Sequence, residues 1–75
     1  MDKESQCKII LIWLKEHGYI TAKIARPLCE CERLSARIHD LRKAGIPIIT
    51  EMNSYISETG RHVRYAIYRL EDKHA

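Results

Sequence analysis

Arg33-Leu34-Ser35-Ala36-Arg37-Ile38-His39-Asp40-Leu41-Arg42-Lys43-Ala44-Gly45, followed at once by Ile46-Pro47-Ile48-Ile49-Thr50-Glu51-Met52, decides the fold. In the first part Leu34, Ile38 and Leu41 recur at the spacing of one helical face, and Gly45 is a stop signal. The helix is expected over residues 32–44. From Ile46 the period changes from 3.6 to 2, and Pro47 is tolerable only near a strand start or an edge. Unrolled at 100° per residue, the helix turns Leu34, Ile38 and Leu41 inward with Cys31 close by. Glu32, Ala36, His39 and Lys43 lie opposite, Arg33 and Asp40 to one side, Ser35 and Arg42 to the other.

Upstream, Ser5 is a good N-cap and Gly18 a good C-terminal stop for a first helix striped by Cys7, Ile10, Leu11 and Leu14. Ile9, Ile12 and Trp13 fall off that stripe. Tyr19-Ile20 is too short for more than a bridge. Thr21 caps a second helix carrying Ile24, Ala25 and Leu28, and Pro27 requires that helix to be short and kinked or to restart near Arg26. Cys29-Glu30-Cys31 forms the turn, without a glycine. Downstream, Ser57-Glu58-Thr59-Gly60 is a connection, and residues 62–70 are the strongest strand, alternating and rich in β-branched and aromatic residues. Three helices followed by a two-stranded β-hairpin give an α+β winged helix-turn-helix: helices two and three form the helix-turn-helix, and the hairpin is the wing.

Length and composition agree. Seventy-five residues make a single domain, residues 1–75 with an ordered core over about 5–70, and 45% hydrophobic residues with a net charge of +3 favour collapse over disorder. The longest apolar run, residues 9–14, is too short to span a bilayer and has no cleavage site after it. Three cysteines, Cys7, Cys29 and Cys31, make no complete disulfide framework and point to a reducing, cytoplasmic setting. The basic charge sits in two places. Residues 21–45 hold Lys23, Arg26, Arg33, Arg37, Arg42 and Lys43 against Glu30, Glu32 and Asp40; residues 60–70 hold Arg61, Arg64 and Arg69 and no acid. Arginine forks suit phosphates and guanine edges.

Gly18-Tyr19-Ile20-Thr21 and the Arg33–Gly45 block together resemble the small winged helix-turn-helix proteins common in bacteriophages and prophages, whose pattern runs G-x-I-T, then A, then R-L-S-A-R-I-x-x-L-R-x-x-G, then an isoleucine strand and a closing Y-x-L. Ala25, Ile48 and Tyr68-Arg69-Leu70 supply the remaining pieces, so the resemblance covers roughly residues 5–70. Pro27, and Glu30 in place of a turn glycine, depart from it. The resemblance implies a DNA-binding protein of a bacterial host cell's cytoplasm and names no operator.

The expected partner is double-stranded DNA, bound by a transcriptional regulator or a DNA-organising factor. Ala36 lets the third helix approach base edges, and Arg33, His39 and Lys43 can donate to bases or phosphates. Arg37 lies near the core edge, where such contact competes with pairing to Asp40 or Glu51. Glu32 and Asp40 either accept from cytosine or repel phosphate; Ser35 completes the expected face. On the wing, Arg61, His62 and Arg64 can reach a minor groove or its phosphates, against the alternative of a solvated hairpin tip.

No metal site is expected, because Cys29-x-Cys31 has the wrong spacing and no second ligand pair. Nor is an enzyme, a cofactor or a small-molecule substrate: Ser35 and Asp40 point to different sides of one helix, and there is no phosphate loop. The alternative function is a protein-interaction module docking on a host or phage protein. For Ile9, Ile12 and Trp13, either Tyr65 and Ile67 of the closing strand pack over them, or they meet their copies in a homodimer.

Overall fold

In the computed structural model, which describes residues 2–71, the chain enters its first helix earlier than Ser5. α1 spans Lys3–His17, and its cap is Asp2, whose carboxylate accepts from the Ser5 N–H at 2.8 Å. Both residues can cap, but Asp2 places a negative charge at the positive end of the helix and gains a turn. Gln6, Ile10 and Leu14, four residues apart, are buried. Cys7, Ile9, Leu11 and Trp13 pack partly buried against the core, whereas Ile12 is 57% exposed. The Trp13 ring lies 3.9 Å from that of His17. Gly18 ends the helix at φ 84°, a left-handed position that costs glycine little, and its N–H reaches the Leu14 carbonyl at 2.8 Å.

The wing is part of a three-stranded sheet, not a two-stranded hairpin. β1 (Tyr19–Thr21) pairs antiparallel with β3 (His62–Leu70), which also pairs antiparallel with β2 (Ile48–Ile56), in the order β1-β3-β2. Three residues carry too little alternation to announce a strand; β1 exists because β3 offers it an edge. β2 begins two residues after Ile46 and continues past Met52 to Ile56, held in register from Ile48↔Leu70 to Ile56↔His62. The turn over residues 57–60 is as expected, closed by Ser57 N–H to the Arg61 carbonyl at 2.9 Å.

α2 (Ala22–Cys29) is capped by Thr21, whose Oγ1 accepts from the Ile24 N–H at 3.4 Å. It runs through Pro27 without restarting. Proline lacks the N–H that would reach the Lys23 carbonyl, but the helix ends two residues later, so little is lost. Glu30 then turns the chain at φ 54°. α3 is Leu34–Lys43, shorter at both ends than residues 32–44: Arg33 is its N-cap, Glu32 precedes it, and Ala44 is its C-cap.

One apolar cluster joins these elements. Ile10, Leu14, Ile20, Ala25, Ile38 and Ile48 are buried in it, together with Leu34, Leu41 and the thiols Cys29 and Cys31, which pack as small apolar residues. Each buried Leu or Ile is worth about 1.5–3 kcal/mol. The inward face of α3 is therefore Leu34, Ile38 and Leu41, as its periodicity requires.

Candidate nucleic-acid interface

The outer side of α3 is built by fixing its inner side. Gln6 of α1 donates through Nε2 to the Cys29 carbonyl at 3.2 Å and the Glu30 carbonyl at 3.3 Å, satisfying acceptors at the C-terminal end of α2. Its Oε1 accepts from Arg37 Nη1 at 3.4 Å. One buried amide thus ties α1 to both helices of the helix-turn-helix. At the other end of α3, Arg42 donates from Nε to the Ile48 carbonyl at 3.0 Å and from Nη2 to Thr50 Oγ1 at 2.7 Å, locking α3 to β2.

These contacts sort the basic residues. Arg37 sits half-buried, its Nε 3.0 Å from Asp40 Oδ2; the N–H is not aligned on that oxygen, so this is a charge contact more than a hydrogen bond. Of the two acidic partners weighed for Arg37, Asp40 takes it; Glu51 instead pairs with Arg69 at 2.9 Å, whose guanidinium also lies 5.8 Å from the Tyr19 ring centre. Arg37, Arg42 and Arg69 therefore act as braces. Arg33, Lys43, Arg61 and Arg64 are exposed, as is Arg42, which differs from them by its bonds to Ile48 and Thr50.

The expected face is only partly assembled as unrolled. Ser35, His39 and Lys43 are exposed along α3, and Ala36 is half-buried. Glu32 and Arg33 stand ahead of the first helical turn, and both line a groove of about 790 Å³. That groove runs between the starts of α2 and α3 and the wing. Thr21, Lys23, Arg33 and Ser35 line one wall, and Arg64, Tyr65 and Tyr68 the other. Most of its wing wall comes from the part of β3 beyond β1, which pairs only with residues 67–69; Tyr68 stands in the paired part, and Tyr55 of β2 also lines the groove. Arg61 and His62 are exposed at the hairpin end beyond the groove.

The sequence did not mark Gln6 at all, and it marked Lys23 and Arg42 only as part of a basic stretch and Tyr65 and Tyr68 only as strand residues, none of them as site residues. Lys23 had a signal, two residues past the Thr21 cap and so beside the α2 N-terminus. Gln6 had only its spacing of four to Ile10.

The thiols near this frame are held in their neutral form. Burial pushes the Cys7 thiol up, with Asp40 adding to it, and burial followed by the neighbouring Cys31 pushes Cys29 up. A raised thiol pKa lowers the share of nucleophilic thiolate.

Three helices, a helix-turn-helix braced by α1 and a hairpin wing beside its second helix define the class. The chain belongs to the winged helix-turn-helix domain family, whose model matches residues 5–73. No curated protein and no solved structure matches it. Among the described residues no helix is long and apolar enough to cross a membrane.

Proposed function

We propose that the chain binds double-stranded DNA by occupancy, with the exposed side of α3 in the major groove and the wing on the adjacent backbone. No bond is made or broken. The reading extends to a regulator or DNA-organising factor of phage or prophage type, acting in the cytoplasm of a bacterial host. The observation that carries it is the sorting of charge around the groove: Arg37, Arg42 and Arg69 are spent on the fold, while Arg33 and Lys23 on one wall face Arg64 on the other. The phosphates of a duplex backbone carry the charge that such walls attract. Pairing of Asp40 with Arg37 also removes one of the two acids that would oppose phosphate, leaving Glu32.

Fluorescence anisotropy against random duplex DNA at several salt concentrations tests the proposal. Counterion release gives log Kd a steep dependence on log salt. Replacing Arg33 and Lys43 together with alanine is expected to leave Tm nearly unchanged and to weaken binding by ~1–3 kcal/mol for each side chain that reads a base edge. Unchanged affinity removes α3 from the interface.

Exposed Met52, Tyr55 and Ile56 on the hairpin favour a second reading, docking on a host or phage protein; absence of any salt-dependent DNA binding selects it. A homodimer through α1 would rest chiefly on Ile12, since Ile9 and Trp13 are already partly covered.

A further inference from the structure

β2 is the outer strand of the sheet, and among the described residues no strand pairs with its far edge. Strand alternation decides what that edge offers. Glu71 N–H donates to the Pro47 carbonyl at 2.8 Å and Ser57 N–H to the Arg61 carbonyl at 2.9 Å. With the register Ile48↔Leu70, the odd-numbered residues of β2 spend their main-chain groups on β3, and the even-numbered ones point theirs outward. The Ile48 carbonyl, outward by this count, accepts from Arg42 Nε at 3.0 Å, which closes the end of the edge beside α3. Thr50 and Met52 remain open, as does the Ser54 carbonyl; the Ser54 N–H donates to Asn53 Oδ1 at 2.9 Å and is freed for pairing when that exposed amide turns away. Natural edges are usually blunted by lysine, proline or a bulge. Within Ile48–Ile56 the only charge is Glu51, and there is no proline. Met52 is 58% exposed and Ile56 65%, with Ile49 and Tyr55 exposed beside them.

The strand is also chemically symmetric about Met52. Isoleucine stands at both ends, Ile49 mirrors Tyr55, Thr50 mirrors Ser54, and Glu51 mirrors Asn53. We propose that the occupant of this edge is a second copy of the chain, paired antiparallel with β2 about a two-fold axis at Met52. In that register the outward groups of Met52 meet those of its copy, and those of Thr50 meet those of Ser54 in the second copy once the Asn53 amide turns from the Ser54 N–H toward Glu51 of the other copy. Apolar side chains oppose apolar ones, hydroxyl opposes hydroxyl, and the Glu51 carboxylate faces the Asn53 amide. Moving the axis to Glu51 sets two carboxylates against each other and Ile49 against Asn53; moving it to Asn53 sets Glu51 against Tyr55. Complementarity therefore selects one register. Paired residues share a face, so the helices of both copies lie on one side of a continuous sheet made of three strands from each. The assembly goes beyond DNA binding and does not depend on it.

Sedimentation equilibrium of the full chain, up to hundreds of micromolar, is expected to give a reversible species of twice 8.8 kDa. Met52→Lys, which sets two ammonium groups across the axis, is expected to weaken dimerisation at least roughly tenfold with an unchanged circular dichroism spectrum. Asn53 is exposed, and its variants report the register without disturbing the core. Asn53→Lys, opposite Glu51, tightens the dimer roughly fivefold, and Asn53→Asp weakens it. A mass of 8.8 kDa at every concentration overturns the proposal. So does a dimer indifferent to the Asn53 variants, or one that survives Met52→Lys and is lost in Ile12→Lys.

Discussion

Gln6 is a buried polar side chain whose amide is almost fully used: two carbonyls at the end of α2 and the Arg37 guanidinium of α3. Gln6→Leu keeps the volume and abandons those carbonyls, so urea denaturation is expected to show a loss of about 1–3 kcal/mol. Because the same contacts set the angle between α2 and α3, DNA affinity measured on the folded fraction should fall as well, though Gln6 touches no ligand. A stability loss without an affinity loss would mean that the inter-helix angle is set by Leu34 and Ile38 alone. Asp2 makes a second residue-scale case, through pH. The Ser5 N–H bond holds its carboxyl below the ordinary 3.8, so the ionised cap favours the folded state above pH 3.8, and that contribution disappears as pH falls through the folded value. Asp2→Asn retains an acceptor for the Ser5 N–H but cannot titrate. Thermal melts across the acid range should show a shallower loss of Tm in the variant; identical profiles would remove Asp2 as the acid-sensitive cap.

At the scale of elements, the turn between α2 and α3 is the place where local preference and fold disagree. Glu30 occupies φ 54°, a left-handed conformation that costs a non-glycine residue about 1–2 kcal/mol. Glu30→Gly relieves this, offset by the extra freedom of glycine in the unfolded chain and by the contacts of the glutamate, and is expected to raise stability by up to ~1 kcal/mol in a denaturant titration. A decrease would mean that those contacts outweigh the strain. The same turn explains how far the sequence could be read. Leu34, Ile38 and Leu41 announced the inward face of α3 because helical periodicity is a local property, and Gly18 and Gly45 announced helix ends because left-handed backbone has few tenants. β1 was hidden, since a three-residue strand is defined by its partner β3 and not by its own pattern. The start of α3 was misplaced by two residues because Glu32 and Arg33 fit a helix as well as the approach to one. The expected site suffered most. Whether an arginine is a brace or a free donor depends on contacts outside its own element, so Arg42 bonding to Ile48 and Arg69 pairing with Glu51 could not be told from Arg64 by residue type.

For the whole molecule, that partition of charge matters more than the net +3. A phosphate backbone responds to cations free to approach it, each displacing condensed counterions and adding ~0.9 to the slope of log affinity against log salt. The braced arginines are held against Asp40, Glu51 and the β2 backbone, so replacing them would remove contacts within the fold together with the charge. Arg61 and Arg64 have no such duty: both are exposed, one at the hairpin end and one on the groove wall. Changing both to glutamine keeps length and hydrogen-bonding capacity and removes two charges. Anisotropy titrations at several salt concentrations are then expected to show weaker binding to all duplexes alike, with the slope lowered by roughly two. Tm should stay within a degree or two, since exposed charges of this kind contribute little to folding. A loss confined to one DNA sequence would instead assign the wing to groove width or base edges, and an unchanged slope would leave it in solvent, with α3 and Lys23 carrying the whole electrostatic contact.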